Sequence, residues 1–349
     1  MPVTKLPFHA DHIGSLIRPT SVSEAQEKAD AGQISQEQLR EVQQKEIADI
    51  VKKQQDNNVR ALCSGEFDRK YYFSGFFEKL DGFKEVSPVP WDLARLSAAP
   101  IAALKKAGKQ YPMAAICDGK IKYNTSPYLD NWKLLRNVVP KEQWKECKFT
   151  MPPPCYFHLR LGPGKCYPKE IYANDEAFFA DLAAAYRQEF KTLYAEGLRN
   201  IQIDDPTLAY FCSEDMLSGL REDGEDTDKM FDVYLKAHND CIADRPDDLH
   251  VGLHICRGKT RPSVEPTCVV CLSAKGSVQE TFPNRCTSQR DHMRQLQRSS
   301  SRPSITTLST SNTITLDQEA SSLSDSCPRT RTSCSAWLRL RTHSWRMLN

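Results

Sequence analysis

The chain has 349 residues, with 47 Lys and Arg set against 45 Asp and Glu for a net charge of +2. So balanced a charge gives no electrostatic case for nucleic acid or an anionic membrane, and no apolar run approaches the roughly 20 residues of a membrane helix. The first residues, Met1 to His9, lack the apolar core of a signal peptide, so the 13 irregularly spaced cysteines read as reduced thiols of a cytoplasmic protein.

From His9 to Pro19 the chain reads as a short extended piece with a Gly-Ser break. One long helix is expected from Ser21 to about Asp56, on the periodicity of Leu39, Val42, Ile47, Ile50 and Val51. Val59 to Cys63 reads as a strand ended by Ser64-Gly65-Glu66, and an aromatic segment, Tyr71 to Phe77, follows. Met113 to Cys117 is a second expected strand, ended by Asp118-Gly119, and Lys148 to Met151 runs into three prolines. Asp175 to Glu196 is an amphipathic helix closed by Gly197. Asn200 to Ile203 is a strand ended by Asp204-Asp205-Pro206, and a helix from Asp228 to Asp244 leads to an apolar strand that opens at Leu249.

Strand and helix alternate, which points to a parallel sheet with covered faces. Ser15, Glu66, Asp118, Asp204, His254 and Cys256 stand at or just past strand ends. In a (β/α)8 barrel such ends gather on the face that carries active sites, whereas each carboxylate taken alone would serve as a helix N-cap. A doubly wound sheet is the structural alternative. In the last strand His254 and Cys256 are two apart and share a face, a donor pair suited to Zn2+. A His and a Cys so placed in a buried strand are more often packing residues than ligands.

Four motifs occur in order: His12-Ile-Gly-Ser15, Ser64-Gly-Glu-Phe-Asp-Arg69 with Leu80-Asp-Gly-Phe83 behind it, Ile201-Gln-Ile-Asp-Asp-Pro206, and His254-Ile-Cys256. Together they resemble the catalytic barrel of cobalamin-independent methionine synthase, most closely the short single-barrel members of that family, over about residues 8 to 258. The resemblance implies a (β/α)8 TIM barrel of the methionine synthase and uroporphyrinogen decarboxylase-like superfamily. It also implies zinc-dependent methyl transfer to the thiol of homocysteine or another small thiol, with a folate or other methyl donor. Ile13, Gly14 and Ser15 would contact the amino acid, Glu66 and Asp204 would hold its ammonium group, and His254 and Cys256 would be two zinc ligands. A glutamate that often follows the acidic pair in the family is Tyr210 here. A metal-free decarboxylase-type barrel, or a non-catalytic remnant whose Ser/Arg-rich tail binds partners, are the other readings.

After Lys259 the text changes to a Ser/Thr/Arg-rich composition, as in Gln297 to Ser304 and Thr306 to Ser311, the signature of a disordered tail. The domains expected are therefore a barrel at 1–258, incomplete at its C-terminal end, and a tail at 259–349. Cys268 and Cys271 have the spacing of half a zinc site but no second pair in matching context. Gly258-Lys259 can be encoded with GTAAG, the usual start of an intron, and Val278-Gln279 with a terminal CAG. Joining the flanking text in one shifted frame can give Gly-Asn-Phe after Cys256-Arg257 and then three family-like segments, the first with the missing glutamate ligand. The expectation is a retained intron followed by a shifted frame. The chain as written would then bind zinc poorly, be unstable and have little methyltransferase activity.

Overall fold

The computed structural model describes residues 12–255, and further on two short strands at 305–307 and 313–316. Two helices, α1 (Thr20–Asp30) and α2 (Gln36–Asp56), occupy the span expected to hold one. Ser35 starts α2 with a reciprocal cap: its hydroxyl accepts from the Gln38 N–H at 3.2 Å, and the Gln38 side chain accepts from the Ser35 N–H at 2.8 Å. The chain folds back there, so Ala25 and Ala29 of α1 pack on Leu39 of α2. Periodicity alone cannot separate one long helix from such a hairpin, but the Ser-x-x-Gln start signal lies in the sequence.

β1 (Asp81–Val86), α3 (Ala99–Lys106) and β2 (Ala114–Lys122) come next, and the two strands pair antiparallel, Phe83 opposite Cys117 and Val86 opposite Ala114. This corrects the expectation that Met113 to Cys117 belongs to the parallel sheet. It also places Asp118 inside β2, exposed and 3.9 Å from the Lys84 Nζ, away from any gathering of strand ends.

After α4 (Leu129–Arg136) the parallel part begins. It runs β3 (Phe149–Met151), α5 (Tyr156–Arg160), α6 (Asp175–Ala195), β4 (Asn200–Asp204), α7 (Glu214–Glu222), α8 (Thr227–Ile242) and β5 (His250–His254). β3, β4 and β5 lie side by side in parallel, Met151 beside Ile203 and Asp204 beside His254. A parallel bridge from Leu62 to Cys147 extends the row by one segment. The expected strand at Val59 to Cys63 is thus present as a bridge.

Both ends of α6 follow from its sequence. The Asn174 side chain accepts from the Ala177 N–H at 2.9 Å and caps the start. Past the other end Gly197 has φ +96°, and a Cβ there would sit 2.5 Å from Cε3 of Trp144. Only glycine satisfies both conditions.

The strands alternate cleanly. Phe149, Met151, Ile201, Ile203, Val251 and Leu253 are buried in one core with Leu182, Tyr186 and Phe190 of α6 and Tyr234, Ala237 and Cys241 of α8. Thr150, Gln202, Asp204 and His254 occupy the intervening positions and share the other face. The sheet is apolar toward its helices and polar on the side that builds the site.

Beyond β5 the sheet changes sense. β6 (Ile305–Thr307) and β7 (Thr313–Leu316) add to it antiparallel, Leu253 opposite Ile314 and Thr306 opposite Thr315, in the order β3-β4-β5-β7-β6. The α/β class holds, but a closed eight-stranded parallel barrel does not occur among the described residues. The rest of the expected tail, 259–349, lies outside the described residues, as does the Cys268–Cys271 pair. Among the described residues no helix is long and apolar enough to cross a membrane.

Candidate active site

The loop after the Leu62 bridge supplies the first carboxylate. Glu66 is buried and has φ +63°, a left-handed conformation that costs a non-glycine residue about 1–2 kcal/mol. Its surroundings hold it there. Its N–H donates to the Ser64 hydroxyl at 3.2 Å, and Arg18 donates to the carbonyls of Glu66 at 3.1 Å and Arg69 at 2.7 Å. The Glu66 Oε1 accepts from the Arg69 guanidinium and from the Thr150 hydroxyl, both at 2.8 Å.

Arg69 is the organising cation. It is buried, lies 3.5 Å from Asp68, and also donates to Thr150 at 2.5 Å. Burial opposes its charge, but the carboxylates of Glu66 and Asp68 outweigh burial and hold it firmly protonated. Burial likewise pushes Asp68 up, and the Arg69 charge with hydrogen bonds from Ser64 and Asn131 overcomes this and leaves the carboxyl below its usual range.

The second carboxylate is Asp204, at the end of β4 and buried. Its Oδ1 accepts from the Gln202 amide at 2.6 Å. Burial is the main cause that drives its pKa up to about 8, and the nearby charge of Glu66 adds to it. The Gln202 hydrogen bond and the charges of Arg69 and Lys148 offset only part. The two carboxyl groups are thus buried near one another, Glu66 paired with Arg69 and Asp204 held by Gln202 with its pKa raised.

The Gly-Ser segment closes this volume. The Ile13 carbonyl accepts from the Gln202 amide at 2.6 Å, the His12 carbonyl from Lys148, and Gly14 has φ +106°. A Cβ on Gly14 would lie 2.7 Å from Cγ2 of Thr150, so only glycine lets the segment cross β3 this closely. The Ile13 side chain is exposed, as is Ser15, and Gly14 is buried. The structure thus brings Glu66, Asp204 and the backbone of the Gly-Ser segment together around Thr150 and Gln202. Arg69, Thr150, Lys148 and Gln202 were not singled out from the sequence. The signal for Lys148, Thr150 and Gln202 was parity: with Asp204 they occupy alternate positions of β3, β4 and the residue before β3.

His254 is buried at the end of β5, beside Asp204, and its carbonyl accepts from the Asp205 N–H at 2.8 Å. Cys256 lies outside the described residues. Cys155, Asp205 and His238 form the group whose donor atoms are close enough together for a metal among the described residues. Asp205 and Cys155 are hydrogen-bonded within the group, whereas the His238 Nδ1 is buried without a hydrogen-bond partner. Asp205 Oδ2 accepts from the Cys155 thiol at 3.2 Å and pairs with the His238 Nε2 at 2.7 Å, while Oδ1 accepts from the N–H groups of Thr207 at 2.8 Å and Leu208 at 3.2 Å. Burial and the Asp205 charge push the Cys155 thiol well above its ordinary pKa. This network ties α8 to the end of β4 and is poor in ionised donors.

Residues 8–102 match the family model of the cobalamin-independent synthase, catalytic domain. Methionine synthase of Sulfolobus acidocaldarius is 28% identical over 196 residues, 56% of this chain and 51% of that protein. A solved structure of the putative vitamin-B12 independent methionine synthase of Listeria monocytogenes aligns with TM-score 0.55 at 27% identity, over 72% of this chain and 66% of that one. Over these spans the chain is similar to the cobalamin-independent synthase family. Another relative, the uncharacterized protein YxjH of Bacillus subtilis, is 32% identical over 257 residues, 74% of this chain. The chain spans 63% of the length of that relative. Within the synthase family match fall the Gly-Ser segment and the Glu66 loop, two of the pieces that meet at the site.

Proposed function

We propose that this chain is a homocysteine S-methyltransferase of the methionine-synthase type, acting on an amino acid that carries a thiol. The observation that carries the reading is the pair Glu66 and Asp204, two buried carboxyl groups converging from different strand ends, one of them pushed up to about 8. An α-ammonium group placed between them supplies positive charge and fixes the amino acid with its side chain directed along the strand ends. The Gly-Ser backbone, held across β3 by Lys148 and Gln202, forms the adjoining wall.

The resemblance adds zinc. His254 fits as one ligand: it is a buried imidazole on the polar face of the sheet, next to Asp204. Cys256 would be the second ligand. Bound Zn2+ lowers the pKa of a thiol that it coordinates, so that a nucleophilic sulfur is present at neutral pH. In the overall reaction a sulfur–carbon bond forms, the bond from the methyl group to its donor breaks, and the thiol proton leaves. The residues on the polar face orient the acceptor for that displacement. Folate or another methylated compound would serve as donor. The antiparallel sense of β7 beside β5 supports the view that the text after Lys259 departs from the family's course.

Calorimetric titration of L-methionine, the product amino acid, tests the ammonium receptor. Asp204→Asn and Glu66→Gln are each expected to weaken binding at least about tenfold, the scale of a charged hydrogen bond. Because Asn keeps the bond from Gln202 and relieves a buried carboxyl, Asp204→Asn should be as stable as the parent in urea at neutral pH. Unchanged methionine affinity in both variants would remove the reading.

A further inference from the structure

A second polar cluster lies on the same face and takes no part in the ammonium receptor. Arg160 ends α5, which follows β3, and Tyr210 lies in the 3-10 turn Thr207–Cys212 that follows β4. Tyr72 comes from the loop after Arg69, and Tyr111 precedes β2. These segments bring a guanidinium among tyrosine side chains.

The guanidinium donates to the Tyr210 hydroxyl at 3.2 Å and lies 4.7 Å over the Tyr156 ring. Tyr72, Tyr111, Tyr156 and Tyr210 surround it, and no carboxylate pairs with it among the described residues. Arg160 Nε and the hydroxyls of Tyr72 and Tyr111 are shielded from solvent and lack a well-formed hydrogen bond. Tyr72 also stands edge-on to Tyr156, with ring centroids 5.5 Å apart, and feels the charge of Asp205, which neighbours Asp204.

Buried donors are nearly always satisfied, and a cation out of water needs an opposite charge. Stacking on a ring offsets part of that need, at about 0.5–2 kcal/mol, and leaves the Arg160 Nε without a hydrogen-bond partner. Arg95, the comparison within this chain, has what Arg160 lacks: it donates to Asp223 at 3.0 Å and to Glu225 at 2.8 Å. Arg95 is a structural cation. Arg160 is poised for an anion from outside the fold.

We propose that Arg160, with the hydroxyls of Tyr72, Tyr111 and Tyr210, is a receptor for a carboxylate group of a bound substrate. The planar fork of a guanidinium matches a carboxylate in two parallel hydrogen bonds, and the phenols supply further donors at its edge. The carboxylate belongs either to the amino acid held by Glu66 and Asp204 or to the methyl donor. The inference rests on the ammonium-receptor reading only in placing both substrates on this face.

The test is calorimetry on the full chain with L-methionine, its decarboxylated amine and methyltetrahydrofolate, comparing wild type with Arg160→Gln and Glu66→Gln. If Arg160 takes the amino-acid carboxylate, Arg160→Gln weakens methionine about tenfold to a hundredfold and leaves the decarboxylated amine unchanged. If it takes the donor's carboxylate, the same loss appears for methyltetrahydrofolate alone. Either pattern supports the receptor. A folded Arg160→Gln variant that binds all probes as wild type does overturns it, as does a wild-type chain that binds neither carboxylate probe. Should Arg160→Gln fail to melt cooperatively, Arg160→Lys, which keeps the charge and loses the fork, is expected to weaken the affected probe about tenfold. Unchanged binding there also overturns the proposal. Loss of the decarboxylated amine in Glu66→Gln belongs to the ammonium receptor alone, so the two readings fail separately.

Discussion

Arg69 carries more of the site than any other single side chain. It bridges Glu66 at 2.8 Å, Asp68 at 3.5 Å and Thr150 at 2.5 Å with almost no exposure. Replacing it with Met keeps much of the volume but leaves two buried carboxylates without their cation. Breaking a buried charge network by removing one partner costs about 3–5 kcal/mol, so Arg69→Met should lower the urea stability by that amount. Adding Glu66→Gln should restore part of the loss, because one of the orphaned charges disappears. A single variant within 1 kcal/mol of wild type in the same melts would show that solvent already reaches the cluster. At this scale the sequence was informative where a motif carried the residue. Glu66 and Asp204 were legible from Ser64-Gly-Glu and Ile-Asp-Asp-Pro. Lys148, Thr150 and Gln202 were hidden because polar residues in buried strands look like noise until register puts them on one face.

The elements were legible to the extent that their signals were local. α6 is expected and observed with its glycine stop because an Asn cap, an apolar stripe and Gly197 all lie within one stretch. The hairpin of α1 and α2 was missed because its apolar period continues through the fold-back. The antiparallel partner of β2 was missed because pairing is a property of two distant segments: nothing local in Asp81-Gly-Phe says that it faces Lys122. One tie between elements gives a pH signature. Asp175, in the first turn of α6, pairs with the His158 ring of α5 at 3.0 Å and accepts from the Tyr167 hydroxyl. Burial would raise its pKa, but the hydrogen bond and charge of His158, with the Tyr167 hydroxyl, hold it at about 2. The unfolded carboxyl titrates near 3.9, so the folded state binds fewer protons between these values. The stabilisation is present in full above about pH 4 and is lost as pH falls toward 2. Asp175→Asn should therefore flatten the dependence of the unfolding midpoint on pH in that window, relative to wild type. Parallel curves for the two proteins would assign the acid sensitivity to other carboxylates.

Across the whole molecule the parallel row from Leu62 through β5 builds one half of a site, and His254 stands where that row stops being parallel. A tetrahedral zinc site takes three or four protein ligands, and metal affinity follows the number and ionisation of those ligands. From the text as written the motif supplies His254 and Cys256. On the splicing reading, excising a stretch that starts at GTAAG within Gly258-Lys259 and ends at CAG within Val278-Gln279, with a length that is not a multiple of three, would bring back Gly-Asn-Phe and, beyond it, a glutamate in family-like context. Two chains decide whether the metal site is completed in this way: the 349-residue protein and the product of the spliced frame, purified alike and assayed for metal. The spliced product should hold about one zinc per chain and lose it in His254→Ala, as expected for a site with a full ligand set. The 349-residue protein should hold far less and should melt earlier, because a sheet whose parallel course is cut short leaves strand edges and apolar side chains to be covered by other text. Stoichiometric zinc in the 349-residue protein, lost on His254→Ala, would mean that residues after Lys259 complete the site themselves, and the splicing account would be wrong.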